Sequence, residues 1–325
     1  MAPALGVVYE VNPGELIDEV NGAGDPARSA RVHAAPPRAS GGKTGRAGEC
    51  CGGLLTPELC RSIEECRLSD ITAVVEGEGS PVVLVHSGVA DHRSWDPVAD
   101  RLRRRHTVIR YDLRGFGQTP APARGFRHRD DLADLLDDVG IQAAAVVGNS
   151  LGGYVALEFA TRWPERVTHL GLLAAPLDGW AWGPEVKAYG AEEGQLLADG
   201  DIDRALALNL DMWVRGPVRE WSSALRQTAD QVAAAMRTSL ANQTVTESFE
   251  LPDDIDPPST LLHLITAKTL VAVGDADAPD FPAIARRLAT GIPDAHLTEI
   301  PGAGHLLPLE CPEQIAAAID DLLAR

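Results

Sequence analysis

From residue 71 to the C-terminus, short strand-length apolar runs alternate with stretches of helical period. The strand-length runs lie at 71–76, 81–85, 106–111, 143–147, 167–173, 269–273 and 295–300. Several of them, such as Val82-Val83-Leu84-Val85, are apolar at consecutive positions. A strand with one wet face alternates polar and apolar residues, so a continuous apolar run marks a strand buried on both faces. Helical spacing follows at about 95–105, 128–139, 154–160, 281–289 and 312–323. Strands alternating with helices predict an α/β fold with a mostly parallel sheet flanked by helices on both faces. The alternation stops between 180 and 263, where only helical patterns occur, at 186–197, 202–214 and 221–241. An inserted helical layer, a cap at about 178–262, is expected there.

The first 68 residues follow neither pattern. They are rich in Gly, Ala, Pro, Arg and Ser, as in Ala34-Ala35-Pro36-Pro37-Arg38. Such a segment buries too little apolar surface to offset its ordering entropy. The expectation is a disordered extension over 1–68, with a short helix at 57–66, and one folded domain over 69–325. Cys50, Cys51, Cys60 and Cys66 lack the paired Cys-x-x-Cys spacing of common zinc sites, so free thiols are expected and no metal.

Charge and composition narrow the partners. A net charge of −18 repels phosphates, which argues against nucleic acid or an anionic membrane as the main partner. No apolar run reaches the ~18 residues of a membrane span. The N-terminus lacks a basic region followed by an apolar core, so no Sec-type signal peptide is expected. Five cysteines, four of them before residue 70, do not form a secreted disulfide framework. A reduced, cytoplasmic chain is expected.

The candidate chemistry centres on Gly148-Asn149-Ser150-Leu151-Gly152, a Gly-x-Ser-x-Gly motif with a strand before it and a helix after it. A serine on such a turn stands out from the sheet as an exposed nucleophile. The helix N-terminus directs its N–H groups and positive dipole end at an oxyanion formed nearby, with the Leu151 N–H foremost. The loop after 81–85, His86-Ser87-Gly88-Val89-Ala90-Asp91, can supply a second donor from Gly88 or Val89. His86 is expected to brace this loop. Asp112 and Arg114 are read as a structural ion pair or loop brace. Gly115-Phe116-Gly117 is followed by Gln118-Thr119-Pro120, which does not suit phosphate binding. Asp130, Asp131, Asp134, Asp137 and Asp138 are expected on a solvated helix face opposite Leu132, Leu135 and Leu136.

A carboxylate just past a strand end can orient a base histidine, and Asp275, Asp277 and Asp280 compete for that place. The two not used are expected to be solvated or to cap the helix at 281–289. His305 sits in Gly302-Ala303-Gly304-His305, where glycines let a loop turn sharply and present the ring above the sheet. Trp180, Trp182, Trp213 and Trp221 fall in the cap, and the first three are the candidates to line an apolar substrate pocket.

These motifs resemble the α/β-hydrolase family over residues 71–325: the His86-Ser87-Gly88 loop, Asp112-Leu113-Arg114-Gly115-Phe116-Gly117, and the Ser150 turn. Within it the chain is most similar to enol-lactonase-like and carboxylesterase-type serine hydrolases. The resemblance implies a Ser150–His305–Asp277 triad, with Asp277 taken from the Gly-x-x-Asp form of its loop and the order Ser, Asp, His that the fold uses. It implies an oxyanion hole at Leu151 with Gly88 or Val89, a cap that sets substrate choice, and no cofactor. Many relatives have Gly where Ser87 stands here. A serine at 150 argues against dehalogenase or epoxide hydrolase chemistry, which needs aspartate at that place. The implied reaction is hydrolysis of a small-molecule carboxylic ester or lactone through an acyl-enzyme. Two alternatives stay open. One is carbon–carbon hydrolysis of the meta-cleavage-product type, whose elbow is similar but whose Gly-Pro-Gly loop is missing after His86. The other is a non-catalytic ligand-binding protein on the same fold.

Overall fold

A computed structural model of the chain describes residues 64–68, 70–252 and 256–325. Cys50, Cys51 and Cys60 lie outside these residues, as does most of the helix expected at 57–66. Its last residues belong instead to a strand, β1 (Glu64–Leu68), so the folded region begins five residues before the expected boundary. The reason is a tight turn through Asp70, whose φ of 70° brings Leu68 opposite Ile71. β1 thereby pairs antiparallel with β2 (Ile71–Glu76).

The remaining strands are β3 (Ser80–Val85), β4 (His106–Tyr111), β5 (Ala144–Asn149), β6 (Val167–Leu173), β7 (Lys268–Gly274) and β8 (Ala295–Ile300). They form one sheet in the order β1-β2-β4-β3-β5-β6-β7-β8. β2 pairs antiparallel with β4, and every later pairing is parallel. The crossovers carry α1 (Asp96–Leu102), α2 (His128–Asp138) and α3 (Leu151–Arg162). Val82, Val83, Leu84 and Val85 are all buried, as their continuous apolar run requires. Val82, Leu84, Ala145, Val147 and Ala272 face one side, where they meet Val98 and Leu102 of α1 and Ile315 and Ile319 of the closing helix. α3 packs with α2 on the opposite face.

Between β6 and β7 the helical insertion is present. It comprises α4 (Pro184–Ala198), α5 (Ile202–Asn209), a π-helix (Leu210–Arg215) that continues α5, and α6 (Ser223–Phe249). Pro184 starts α4 where no N–H partner is needed, and the Ser222 side chain caps α6 by accepting from the Leu225 N–H. Short α7 (Pro258–Leu261) leads back to the sheet, followed by α8 (Asp280–Gly291), α9 (Leu307–Glu310) and α10 (Pro312–Leu323). Among the described residues no helix is long and apolar enough to cross a membrane.

The parallel strands β3, β5, β7 and β8 end at the same edge of the sheet. Their four following loops carry Ser87–Gly88, Ser150, Asp277 and His305 respectively. In parallel sheets this carboxyl edge is where ligands bind.

Candidate active site

Ser150 sits between β5 and α3 with φ 54° and ψ −119°, a backbone region that non-glycine residues rarely occupy. Two glycines make the turn possible. A Cβ on Gly148 would lie 2.0 Å from the Gly152 carbonyl oxygen, and one on Gly152 would lie 2.2 Å from the Val85 carbonyl oxygen. Only hydrogen at both places lets α3 start against the sheet. The Ser150 N–H donates to the Leu173 carbonyl at 2.8 Å, which fixes the turn to β6.

Three buried side chains meet here. Ser150 Oγ lies 2.8 Å from His305 Nε2, and His305 Nδ1 lies 2.8 Å from Asp277 Oδ2. An ionised carboxylate only accepts, so Nδ1 carries the hydrogen and Nε2 is free to accept from the serine hydroxyl. Asp277 Oδ1 accepts the Ala278 N–H at 2.7 Å, which locks the carboxylate plane. All three side chains are almost fully buried.

The other two aspartates of that loop have different work. Asp275 is exposed and accepts the Gly302 N–H at 2.6 Å, tying β7 to the His305 loop. Asp280 is buried, and it is neither solvated nor the side-chain cap of α8, the two roles expected for it. It opens α8 and accepts from Trp180 Nε1 and the Gly183 N–H, at 3.0 and 2.9 Å, holding the start of the insertion.

The loop after β3 is arranged for donation. Ala90 N–H donates to the Ser87 carbonyl at 3.2 Å, closing a turn over Gly88 and Val89 whose own N–H groups are not used in that bond. Leu151 is the first residue of α3, so its N–H has no partner within the helix. His86 braces this loop: its Nε2 accepts the Leu113 N–H at 3.0 Å, so its Nδ1 donates to the Ser87 carbonyl at 2.8 Å.

Of the two roles expected for Asp112 and Arg114, the ion pair between them does not form, and Asp112 braces the loop. Asp112 accepts from the His92 backbone N–H and Nδ1 and from the Gln118 N–H. Arg114 instead forks onto Asp131 at 2.8–3.0 Å. Asp131 is consequently buried and does not belong to the solvated face of α2. Asp91, His92 and Asp112 are the group among the described residues whose ligand atoms are near enough to hold a metal. These atoms are already engaged, His92 with Asp112 at 2.7 Å and Asp91 with Arg93.

Of the three tryptophans, Trp213 reaches the site, its ring centroid 4.6 Å from that of His305. Trp182 packs behind it on Phe281, and Trp180 is spent on Asp280. Trp182 and Trp213 are buried, and Trp180 is half-buried. One cavity among the described residues borders the Ser150 turn. It is narrow, about 40 Å³, and bordered by Gly88 and Leu151 on the sheet side, by Phe116 and His128, and by α6.

Two contributors were not legible in the sequence. Asn149 donates from Nδ2 to the carbonyls of Leu173 and His305, both at 3.1 Å, stitching the His305 loop to β5. Glu310 accepts the N–H groups on either side of His305, from Gly304 at 3.0 Å and Leu306 at 3.3 Å. Arg219, from the insertion, pairs with Glu310 and also donates to the Val214 and Arg215 carbonyls. These partners stand up to 156 residues apart, and no local pattern announces them. Arg219→Met is expected to lower kcat up to about 100-fold with little change in KM, because a misplaced base costs rate and not ground-state binding. Steady-state kinetics of the variant check this, and a rise in KM alone would contradict it.

His128 supplies a pH prediction. Burial first, then His86 and Arg114, pushes its imidazole down to about 3. The unfolded chain takes up this proton near the ordinary histidine value, before the folded protein can. Stability contributed by the neutral ring is thus present above that value and is lost as pH falls toward 3. Between pH 7 and pH 5 this one group removes about 2 kcal/mol. Urea midpoints at the two pH values should fall further apart for the parent than for His128→Gln.

A mostly parallel sheet with a serine on a strained strand-to-helix turn at its carboxyl edge defines the α/β hydrolase architecture. The chain belongs to the alpha/beta hydrolase family, whose pattern matches residues 82–318. It is 29% identical to a 2-hydroxymuconate semialdehyde hydrolase of Pseudomonas putida, over 77% of this chain and 89% of that protein. It is 27% identical to a protein of Azorhizobium caulinodans provisionally named carbamate hydrolase RutD, over 75% of this chain and 91% of the other. Among solved structures, a thermophilic esterase from Thermogutta terrifontis superimposes with a TM-score of 0.64 at 27% identity, covering 78% of this chain and 93% of that one.

Proposed function

We propose that the protein is a serine hydrolase that cleaves a small-molecule carboxylic ester or lactone. The observation that carries this reading is the continuous relay of two 2.8 Å hydrogen bonds from Ser150 through His305 to Asp277. Ser150 attacks the acyl carbonyl while His305 Nε2 takes the hydroxyl proton. Asp277 holds the tautomer and stabilises the imidazolium. The N–H groups of Leu151 and of Gly88 or Val89 receive the oxyanion. His305 then returns the proton to the leaving oxygen, and water attacks the acyl-enzyme in the reverse sequence. Each proton moves between groups of this chain and the substrate. Reduced cysteine usage favours the cytoplasm as its location.

The test is intact-mass labelling with a fluorophosphonate. One adduct on the parent and none on Ser150→Ala is the expected result. A folded parent that takes no adduct and turns over no small ester overturns the reading.

Similarity to the P. putida protein favours a second reading, carbon–carbon hydrolysis at the same serine. That protein's name denotes a carboxylate substrate. The cavity here carries Glu247 and Glu250 and no lysine or arginine among its described lining residues, which supports the ester reading.

A further inference from the structure

In the proposed relay His305 is the group that gains a charge. As Ser150 Oγ bonds the acyl carbon, its proton passes to His305 Nε2 and the ring becomes an imidazolium. Asp277 meets that ring at Nδ1, 2.8 Å away. Two aromatic side chains that the relay does not use also pack on it. The ring centroids of Trp213 and Phe281 each lie 4.6 Å from that of the imidazole, with planes inclined by 41° and 66°. Phe281 makes the T-shaped contact, whereas the indole leans over the imidazole. Rings this close and this far from perpendicular meet through their faces. Both Trp213 and His305 are almost fully buried, so little water screens the contact.

The indole is held from two sides. Trp213 belongs to the π-helix Leu210–Arg215, an extra-residue turn of the kind that recurs at functional sites. The Gly216 N–H closes it by donating five residues back, to the Asp211 carbonyl at 3.1 Å. Within the insertion, Tyr189 meets the indole at 5.1 Å with planes 80° apart. The Tyr189 hydroxyl is itself fixed, 2.5 Å from Glu193 Oε1 and 2.8 Å from Asn209 Oδ1. On the sheet side, Arg219 donates to the carbonyls of Val214 and Arg215 and pairs with Glu310 under the His305 loop. A Cβ on Gly216 would lie 3.0 Å from the Ala276 carbonyl oxygen, so the same stretch abuts the Asp277 loop.

We propose that Trp213 is a positioning residue of this reaction, whose π face holds the His305 ring between Asp277 and Ser150 and stabilises the imidazolium formed there. The inference rests on the serine hydrolase reading and gives the insertion a part in its chemistry. The negative face of an indole attracts a cation within ~6 Å and acts far less on a neutral ring. Its effect therefore falls on the transition state more than on the bound substrate, and shows in kcat rather than in KM.

The test places tryptophan carrying one, two or three ring fluorines at position 213 alone. Fluorine drains the negative face and nearly keeps the shape. The charged groups around His305 on the other elements stay the same throughout: Asp277 on its ring, Asp280 at the start of α8, and the Glu310–Arg219 pair under its loop. With each fluorine the acid limb of kcat/KM for p-nitrophenyl acetate should move to lower pH, by about one unit over the series. At about pH 8 kcat should fall about tenfold with KM unchanged. The imidazole nitrogen NMR signals of His305, assigned by their loss in His305→Gln, should titrate in step without substrate. As a second measure, Trp213→Phe keeps a weaker π face and Trp213→Leu keeps none, so kcat should fall in that order. A titration that stays fixed along the series overturns the proposal. So does one that moves to higher pH, which relief of burial alone would produce. Ester turnover with a fixed titration defeats this inference and leaves the hydrolase reading standing. No ester turnover and an unlabelled Ser150, with a titration that still follows the fluorines, defeats the hydrolase reading beneath it.

Discussion

Ser150→Ala should fold normally and lose essentially all turnover, with kcat falling by about 10⁶. The size follows from what is removed. In the proposed mechanism the oxygen held 2.8 Å from His305 Nε2 forms the acyl bond. What remains is the binding and oxyanion stabilisation left to any water that wanders in, typically about 10³–10⁴ above the uncatalysed rate. Stability should not suffer, because the hydroxyl is held by one hydrogen bond and the turn is built by Gly148 and Gly152. Kinetics on a small p-nitrophenyl ester, paired with a thermal melt, check both halves. A folded variant that keeps a tenth of the parent rate would falsify the nucleophile assignment. Ligand binding that persists in the same variant, on a parent with no turnover, would point to a receptor on this fold.

Asp277→Asn should cost about 10⁴ in kcat. The local geometry gives the reason. Oδ1 of Asp277 accepts the Ala278 N–H, so the amide oxygen of an asparagine must take that place. Its NH₂ group is then turned toward His305 Nδ1, where an acceptor stood before. The imidazole has to give up its Nδ1 hydrogen and carry one on Nε2, the atom that must receive the serine proton. Asp275→Asn leaves this arrangement intact and should cost no more than a few-fold, since its oxygen only accepts from Gly302 in an exposed loop. Measured side by side, the two variants separate the aspartates. Equal losses would place the orienting carboxylate elsewhere.

The features legible in the sequence were those carried by neighbours along the chain. The run Val82–Val85 announces a doubly buried strand because every residue in it is apolar, and the strand-turn-helix around Ser150 is written in consecutive positions. The insertion showed itself as an interruption of that rhythm. Pairings across the fold left no such trace. Arg114 lies two residues from Asp112 in sequence, yet the loop turns it to Asp131, 17 residues away. Glu310 reads as one more acid before a helix, and only the folded chain brings it beneath the glycines of the His305 loop. The tryptophans left a similar choice open. Large aromatic side chains suit a pocket wall and an insertion core equally, and the choice depends on which helix faces the sheet opening. α6 lines one such cavity with polar residues.

The indole of Trp213 lies against the imidazole of His305, with their ring centroids 4.6 Å apart and their planes inclined by 41°. An imidazolium accepts an electron from an excited indole far better than a neutral imidazole does. The light emitted by Trp213 therefore dims whenever His305 holds the extra proton and recovers when the proton leaves. The chain has six tryptophans, and among the described ones Trp213 alone is in ring contact with this histidine. Under the proposed mechanism, the Trp213–His305 contact is a built-in optical gauge of the charge on the base, readable without any added dye.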